Sequence, residues 1–313
     1  MPPKVFIIIL NYNRPEDTIE CVQSVLRSDY PAFTVLLVDN ASEDPSHSIL
    51  SRQFPDLVLL QNGENLGYAG GNNTGIRYAL RHGADYVLVL NNDTIVEPDA
   101  LKILLETGEK IPEATLLAPK VNEYSRRKVI NSMGTSMDWF KLRPGRGAYG
   151  REDNGGFESI TEASIIPGAA LLMKRRLFEQ VGLFNEDFFL IHEDADLCLR
   201  NLKAGFKNVV VPPAVIYHKI SKTLCAYPEA SEYYSIRNFL SLAKFHARGV
   251  DRCKVYAGLI LLSLKKVFLY GVVPSGRPEI RAFFAGAGDY FKGRGGPFRP
   301  AFQSDKGLDR FQG

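Results

Sequence analysis

The sequence predicts an α/β fold, a mostly parallel sheet flanked by helices and followed by a C-terminal helical extension. Three observations predict it. Apolar runs such as VFIIIL (residues 5–10), TVLLVD (34–39) and DYVLVL (85–90) do not alternate with polar residues, as expected of strands covered on both faces. Segments of helical period separate them, and the strand–helix alternation repeats through the first 120 residues. Each of these strands also ends on polar residues, which places several side chains of one kind along one sheet edge.

Between the first two strands, Ile19, Val22, Val25 and Leu26 fall at helical spacing, with Pro15, Glu16 and Asp17 suited to a first turn. There follow a helix over 46–54, a strand over 56–61, a helix over 70–81 and the strand over 85–90. Pro98 opens a helix that runs to about Lys110, and ATLLAP supplies the next strand. Residues 121–166, rich in Gly and charge, predict a long loop or flap on the acceptor side. Order returns with a strand over 168–173, a short helix stopped by Gly182, a helix over 194–204 capped by Gly205, and NVVVPPAVIYH as two short strands.

Beyond Ser221 the pattern is helical. The apolar stretch 255–264 is ten residues long before Lys265 and Lys266 interrupt it, whereas a spanning helix needs about 20. It reads as an amphipathic helix in the membrane plane or as a core helix on the α/β body. Eleven Lys or Arg stand against three acids between residues 241 and 300, a net of +8 where the whole chain carries +3. The last thirteen residues balance, which leaves residues 1–240 at about −5. A basic tail on an acidic body predicts an anionic partner surface. Interleaved Phe, Tyr and Lys/Arg match no nucleic-acid motif, so a membrane is expected and no nucleic acid. Cys21, Cys198, Cys225 and Cys253 are scattered without a CxxC pair and read as buried reduced thiols of a cytosolic protein. MPPKVFIIIL lacks the apolar length and cleavage site of a signal peptide and reads as the first strand.

In an open α/β sheet, ligands bind beyond the carboxyl ends of the strands. Asn11-Tyr12-Asn13, Asp39-Asn40 and Asn91-Asn92-Asp93 stand at three of those ends, and NGENLGYAGGNN follows the third strand. One such cluster would be a turn; four predict a lined cleft. The first turn, LNYNRPED, has no glycine, which excludes the dinucleotide fingerprint and makes an NAD or flavin enzyme unexpected. Gly67, Gly70 and Gly71 lead into a helix start, where backbone N–H groups could meet a phosphate or sugar oxygen. Glu193, Asp194 and Asp196 crowd one helix start; repulsion should raise one pKa and the helix dipole should lower it, with the net left open.

Six stretches in this order, FIIILNYNRPEDTIECVQSVL, LLVDNASED, ENLGYAGGNNTGI, VLVLNNDT, GAALLMKRRLFEQVGLFNEDFFLIHEDADLCLRNLKAGF and VIYHKISKT, resemble the family-2 inverting glycosyltransferases, rhamnosyltransferase-like branch. The resemblance covers about residues 4–240. It implies a GT-A type, Rossmann-like fold over residues 1–220 with a basic helical extension over 221–313. It also implies a nucleotide-sugar donor, a divalent metal (Mn2+ or Mg2+) and inversion at the anomeric carbon. Residue by residue, Asp39 matches the acid that contacts the nucleotide base, Asn65 a donor-binding position and Asp194 the catalytic base. Asn91 and Asp93 occupy the ends of an Asp-x-Asp metal motif, with Asp93 the safer ligand because Asn91 is neutral. His218 matches a downstream metal-ligand position. Asn11, Gly70 and Arg200 complete the expected substrate-binding set.

The implied reaction moves rhamnose from dTDP-rhamnose to a hydroxyl of a glycan or polyprenyl-linked acceptor, at the inner face of the cytoplasmic membrane. A UDP-hexose or UDP-galactofuranose donor, a sugar-nucleotidyltransferase and a non-catalytic nucleotide-sugar-binding module are the alternatives. A nucleotidyltransferase would carry a Gly-rich basic loop after the first strand, and NYNRPED is not one. A non-catalytic module would lack the acid at position 194, which is present.

Overall fold

A computed structural model describes residues 2–219, 227–272 and 277–298. Cys225 and the end of the VIYHKISKT stretch lie outside the described residues. Four parallel strands form one side of the sheet: β1 (Val5–Asn11), β2 (Phe33–Asp39), β3 (Val58–Gln61) and β4 (Tyr86–Asn91), in the order β3-β2-β1-β4. Helices α1 (Pro15–Val25), α2 (Ser46–Gln53) and α3 (Gly67–Arg81) make the crossovers.

The register explains the apolar runs. Ile7 pairs with Val35 and Leu88, and Ile8 with Leu36 and Val89, so each β1 residue is enclosed laterally by other apolar residues. Successive side chains point to opposite faces. Val5, Ile7 and Ile9 enter a core with α1, α2 and α4 (Ala100–Lys110), whereas Phe6 and Ile8 enter a second core with α3. Both faces are covered, so both parities must be apolar.

The second half of the sheet is mixed. β11 (Ala170–Lys174) runs antiparallel between β4 and β6 (Ala114–Glu123), and β6 pairs in parallel with β12 (Lys207–His218). The two short strands expected from NVVVPPAVIYH are this single strand. A register shift between Val211 and Val215 absorbs Pro212 and Pro213, which cannot donate to the ladder, and pairing then resumes. β5 (Thr94–Val96) pairs antiparallel with the end of β12 and brings His218 opposite Thr94.

The expected flap over 121–166 is more ordered than a loop. β6 continues through Glu123, β7 (Ile130–Ser132) pairs back on it, β8 (Met137–Asp138) pairs with β9 (Arg143–Pro144), and β10 (Thr161–Glu162) joins β12. α5 (Arg175–Val181) and α6 (Glu193–Lys203) flank β11 and β12.

The extension contributes α7 (Pro228–His246), α8 (Val250–Val272) and α9 (Arg277–Phe291). α7 belongs to the core: Leu242 joins the α3 side of the sheet, and Phe239 and Leu240 pack with Phe283 of α9. The apolar stretch 255–264 lies in α8, which turns Val255, Leu259 and Leu262 inward and leaves Tyr256, Ile260, Leu261 and Leu264 exposed.

Candidate active site

The site is built at the carboxyl ends of the parallel strands. At the ends of β1 and β2, Asn11 Nδ2 donates to Asp39 Oδ1 at 3.0 Å and to Ser42 Oγ at 3.0 Å. Ser42 Oγ donates to Asp39 Oδ1 at 2.5 Å, and Thr18 Oγ1 donates to Asn11 Oδ1 at 2.6 Å. Asn11 and Asp39 are both wholly buried, and the amide of Asn11 orients the carboxylate of Asp39.

The glycine-rich turn is also used internally. Asn40 Oδ1 accepts from Asn62 Nδ2 and the Leu66 N–H, Asn65 Oδ1 accepts from the Gly67 N–H at 2.9 Å, and the Ala69 N–H donates to the Phe189 carbonyl. These are N–H groups that an anion at this helix start would need. The turn is therefore tied to its own neighbours and is not an open phosphate cradle. Gly67 sits at φ 67°, and a Cβ there would run into the carbonyl of Phe189. Gly70 is helical, and a Cβ would meet Leu66 Cβ at 2.7 Å, so it is a packing glycine. Asn65 keeps a place at the cleft edge, but its amide oxygen is committed to Gly67 and to Asn40 Nδ2.

At the end of β4 the groups are not all satisfied. His218 Nε2 lies 3.0 Å from Asp93 Oδ1 and 3.4 Å from Asn91 Nδ2. His218 Nδ1 lies 3.2 Å from Asn131 Oδ1 of β7. A separation of 3.0 Å between an imidazole nitrogen and a carboxylate oxygen suits a hydrogen bond, or two neighbouring ligands of one cation. The buried Asn91 Oδ1 beside them has no partner. Among the described residues no group of three or more His, Cys, Asp and Glu could hold a metal ion. A divalent ion on Asp93 and His218 would take the rest of its ligands from phosphate and water.

Adjacent to this pair stands the expected base. The Asn91 N–H donates to the Ala169 carbonyl at 3.0 Å, and the preceding Gly168 N–H donates to Asp194 Oδ2 at 2.8 Å. Tyr68 Oη of α3 donates to the Gly168 carbonyl at 2.6 Å. Gly168 is a close approach: a Cβ would stand 3.2 Å from Tyr68 Oη and 3.4 Å from Asp194 Oδ2. Burial raises Asp194 above the usual aspartate range, against the pull of the Ala195 and Gly168 N–H groups. Burial pushes Tyr68 well up, reinforced by Glu193, Asp194 and Asp93, so one tyrosine feels both the metal-side and the base-side acids.

The three acids of HEDAD are separated by environment. Glu193 is buried with Oε2 unpartnered, and burial with the adjacent Asp194 raises it well above the glutamate range. Asp196 is buried too, yet His246 Nε2 at 2.8 Å and Arg200 Nε at 2.7 Å hold it below the usual range. Arg200 is thereby accounted for. Its Nη1 and Nη2 donate to the carbonyls of Val181 and Leu183, so it clamps α6 to the preceding turn instead of binding substrate.

The loop into α6 is held by α7. Phe189, Ile191 and His192 all have positive φ, at 62°, 70° and 74°, which costs roughly 1–3 kcal/mol for each. Asn238 Nδ2 donates to the carbonyls of Phe188, Leu190 and Ile191 at 2.7–2.8 Å, and Arg237 Nη2 donates to those of Asp187 and Phe188. His192, packed edge-on to Phe239, is pushed down by burial to about 4 and stays neutral. Tyr68, Thr18, Ser42, Asn131, Gly168, Arg237, Asn238 and His246 were not singled out in the sequence as site or support residues. Most of their partners lie far off in chain order, up to 100 residues for Tyr68 and Gly168, and only the polar character of RN within a helical pattern could have marked Arg237 and Asn238.

Residues 6–182 match the family described as Glycosyl transferase family 2. The N-acetylglucosaminyl-diphospho-decaprenol L-rhamnosyltransferase of Mycobacterium tuberculosis is 30% identical over 210 residues, covering 61% of this chain and 68% of that protein. The low-salt glycan biosynthesis hexosyltransferase Agl10 of Haloferax volcanii is 29% identical over 266 residues, covering 82% of this chain and 81% of the relative. Among solved structures, mannosyltransferase PcManGT from Pyrobaculum calidifontis, in complex with GDP-Man and Mn2+, aligns with a TM-score of 0.58 at 17% identity. It covers 93% of this chain and 88% of its own, and shares the GT-A fold. With the match extending over more than half its length, the chain belongs to glycosyl transferase family 2.

Proposed function

We propose that the protein is an inverting, divalent-metal-dependent hexosyltransferase that moves rhamnose from dTDP-rhamnose to a hydroxyl of a glycan or polyprenyl-linked acceptor. The observation that carries the reading is a pair of linked groups at the end of β4: Asp93 with His218 of β12, and Asp194 of α6, which accepts from the Gly168 N–H while the neighbouring Ala169 carbonyl accepts from Asn91. Rhamnosyltransferase names among the relatives support the donor. The hexosyltransferase name of the Haloferax volcanii relative keeps a UDP-hexose as the second reading.

Asp93 and His218 would hold Mn2+ or Mg2+, with Asn91 Oδ1 beside them; the imidazole is better tolerated by Mn2+. Such an ion, when bound, neutralises charge on a departing diphosphate. Asp39, fixed by Asn11 and Ser42, faces the nucleotide base. Asp194 accepts the proton of the acceptor hydroxyl through a carboxylate whose Oδ2 is aimed by the Gly168 N–H. The acceptor oxygen forms a bond to the anomeric carbon from the face opposite the leaving group. The bond from that carbon to the diphosphate breaks, its electron pair leaving with the nucleoside diphosphate. Raising of Asp194 by burial makes it a stronger base than an exposed aspartate.

Residues 1–220 would form the catalytic unit, and 221–313 the extension that buttresses it through Arg237, Asn238 and His246. A polyprenyl-linked acceptor places the work at the inner face of the cytoplasmic membrane, with an anionic bilayer as the partner surface. Among the described residues no helix is long and apolar enough to cross a membrane. Release of nucleoside diphosphate from dTDP-, UDP- and GDP-sugars, with and without Mn2+, tests the reading. Metal-dependent turnover of dTDP-rhamnose is expected; turnover confined to a UDP-sugar would replace the donor.

A further inference from the structure

α8 is apolar on two faces, and only one has a function in the fold. Inward, Val255, Leu259 and Leu262 pack on Trp139, Leu142 and Phe239, and Gly258 lies against the carbonyl of Phe140. Outward, Tyr256, Ile260, Leu261, Leu264, Val267, Phe268 and Val272 are 54%, 61%, 55%, 62%, 60%, 70% and 62% exposed. Their spacing of three and four residues joins them into one stripe of about half the helix circumference. Isolated apolar residues on a surface need no explanation, but seven on one face, each more than half exposed, mark an interaction site.

We propose that this face of α8 lies in the plane of an anionic bilayer, its side chains at the boundary between headgroups and acyl chains. The inference rests on the lipid-linked acceptor of the proposed reaction and specifies the surface that meets the lipid. The helix has the required chemistry. Lys254 and Lys265 fall three turns apart on one flank of the stripe. On the other, Arg277 Nε donates to the Tyr270 carbonyl and Arg281 Nη2 to Tyr270 Oη, with Arg252 further back toward the helix start. Tyr256 also shares a recess with Tyr290, Phe291, Arg252 and Lys244, which continues the apolar-and-cationic pattern onto α9.

Charge selects a bilayer over a second copy. Residues 241–300 carry a net of +8. A two-fold contact on α8 would set that charge against itself, whereas anionic headgroups add about 1 kcal/mol of attraction for each Lys or Arg near the surface. α8 is also coupled to the chemistry. It follows α7 directly, and α7 holds Asp196 through His246 and the loop before Asp194 through Asn238. A bilayer under α8 therefore fixes the catalytic cleft relative to the lipid.

The test is flotation of the full chain with vesicles of phosphatidylcholine alone or mixed with phosphatidylglycerol, alongside release of nucleoside diphosphate in solution. The wild type should float with the mixed vesicles and less with neutral ones. Leu264→Glu combined with Phe268→Glu, both exposed, should lower vesicle binding roughly tenfold or more while circular dichroism and nucleoside diphosphate release stay unchanged. Lys254→Glu with Lys265→Glu should remove the preference for phosphatidylglycerol. Equal flotation of wild type and the apolar-face variant overturns the proposal. So does a wild type that releases nucleoside diphosphate but floats with neither vesicle, and so does conversion of a dimer to a monomer by the apolar-face substitutions. Flotation without any nucleoside diphosphate release would instead leave α8 as assigned and remove the catalytic reading.

Discussion

At the ends of β1, β2 and β3, the asparagines serve one another. Asn11, Asn40, Asn62 and Asn65 bond to Asp39, Ser42, Gly67 and each other. Across β4, Asn91 Oδ1 and Glu193 Oε2 are buried without a partner, two acids are raised by burial, and three non-glycine residues stand at positive φ. Both regions are polar, enclosed and strained, since Asn13, Arg14 and Ala41 also stand at positive φ beside the first and Tyr12 Oη is buried there without a partner. What the second adds is the pair of acids raised by burial. A closed network specifies a shape for a ligand to fit. An open set, supported from outside by α7, keeps groups ready for a cation and a proton.

The comparison breaks most severely at Asp194. Asp194→Asn keeps the size and one of the two N–H contacts, since its amide nitrogen cannot accept, and removes the base. Transfer should therefore fall by a factor of about 10² to 10⁴ while donor still binds; normal turnover would remove the assignment. Asp93→Ala should abolish the gain in donor affinity that Mn2+ gives, read by titration calorimetry with and without the ion. Third in size is Asn238→Ala, which leaves the Phe188, Leu190 and Ile191 carbonyls without their donor. It should lower kcat about tenfold with little change in donor KM and cost about 1–3 kcal/mol of stability, and an effect on KM alone would show that the loop positions donor instead of base.

Two pH effects sharpen the contrast. Asp194 must be ionised to act and is raised by burial, so kcat/KM should fall on acidification through a pKa above the ordinary aspartate value of about 3.9. Glu193 is raised on folding, so its protonated form favours the native state. Stability is full below the ordinary glutamate range of about 4.3 and declines as pH rises above it. Glu193→Gln should flatten that decline in thermal melts with a modest gain at neutral pH. A decline of unchanged slope would place the titration elsewhere. In the β1–β3 network, by comparison, Asn40→Ala should alter melting temperature without changing the pH profile.

The sequence made the parallel strands legible because β1, β2 and β4 are enclosed on both faces, which demands the unbroken apolar runs that were read. It singled out Asp93 at a strand end and Asp194 in a crowded helix start as local features, whereas the roles of Asp194 and His218 came from the family resemblance. What Asn11, Gly70 and Arg200 bond to was not legible, because a residue's type and position do not show whether its atoms are already bonded. Asn11 faces Asp39, Gly70 meets Leu66, and Arg200 spends its guanidinium on Asp196 and two carbonyls. β12 was split because Pro212-Pro213 signals a break locally, while the long ladder with β6 that carries the strand past them is a tertiary contact. The service of Arg237, Asn238 and His246 to a loop about fifty residues upstream has no local signature.

The most direct test of the central claim is the rate of dTDP release from dTDP-rhamnose by wild type and Asp194→Asn, with acceptor extract and with Mn2+ present or chelated. Release that needs both Mn2+ and the Asp194 carboxylate is the predicted result. Equal rates in the two proteins, or a rate indifferent to chelation, would contradict the account.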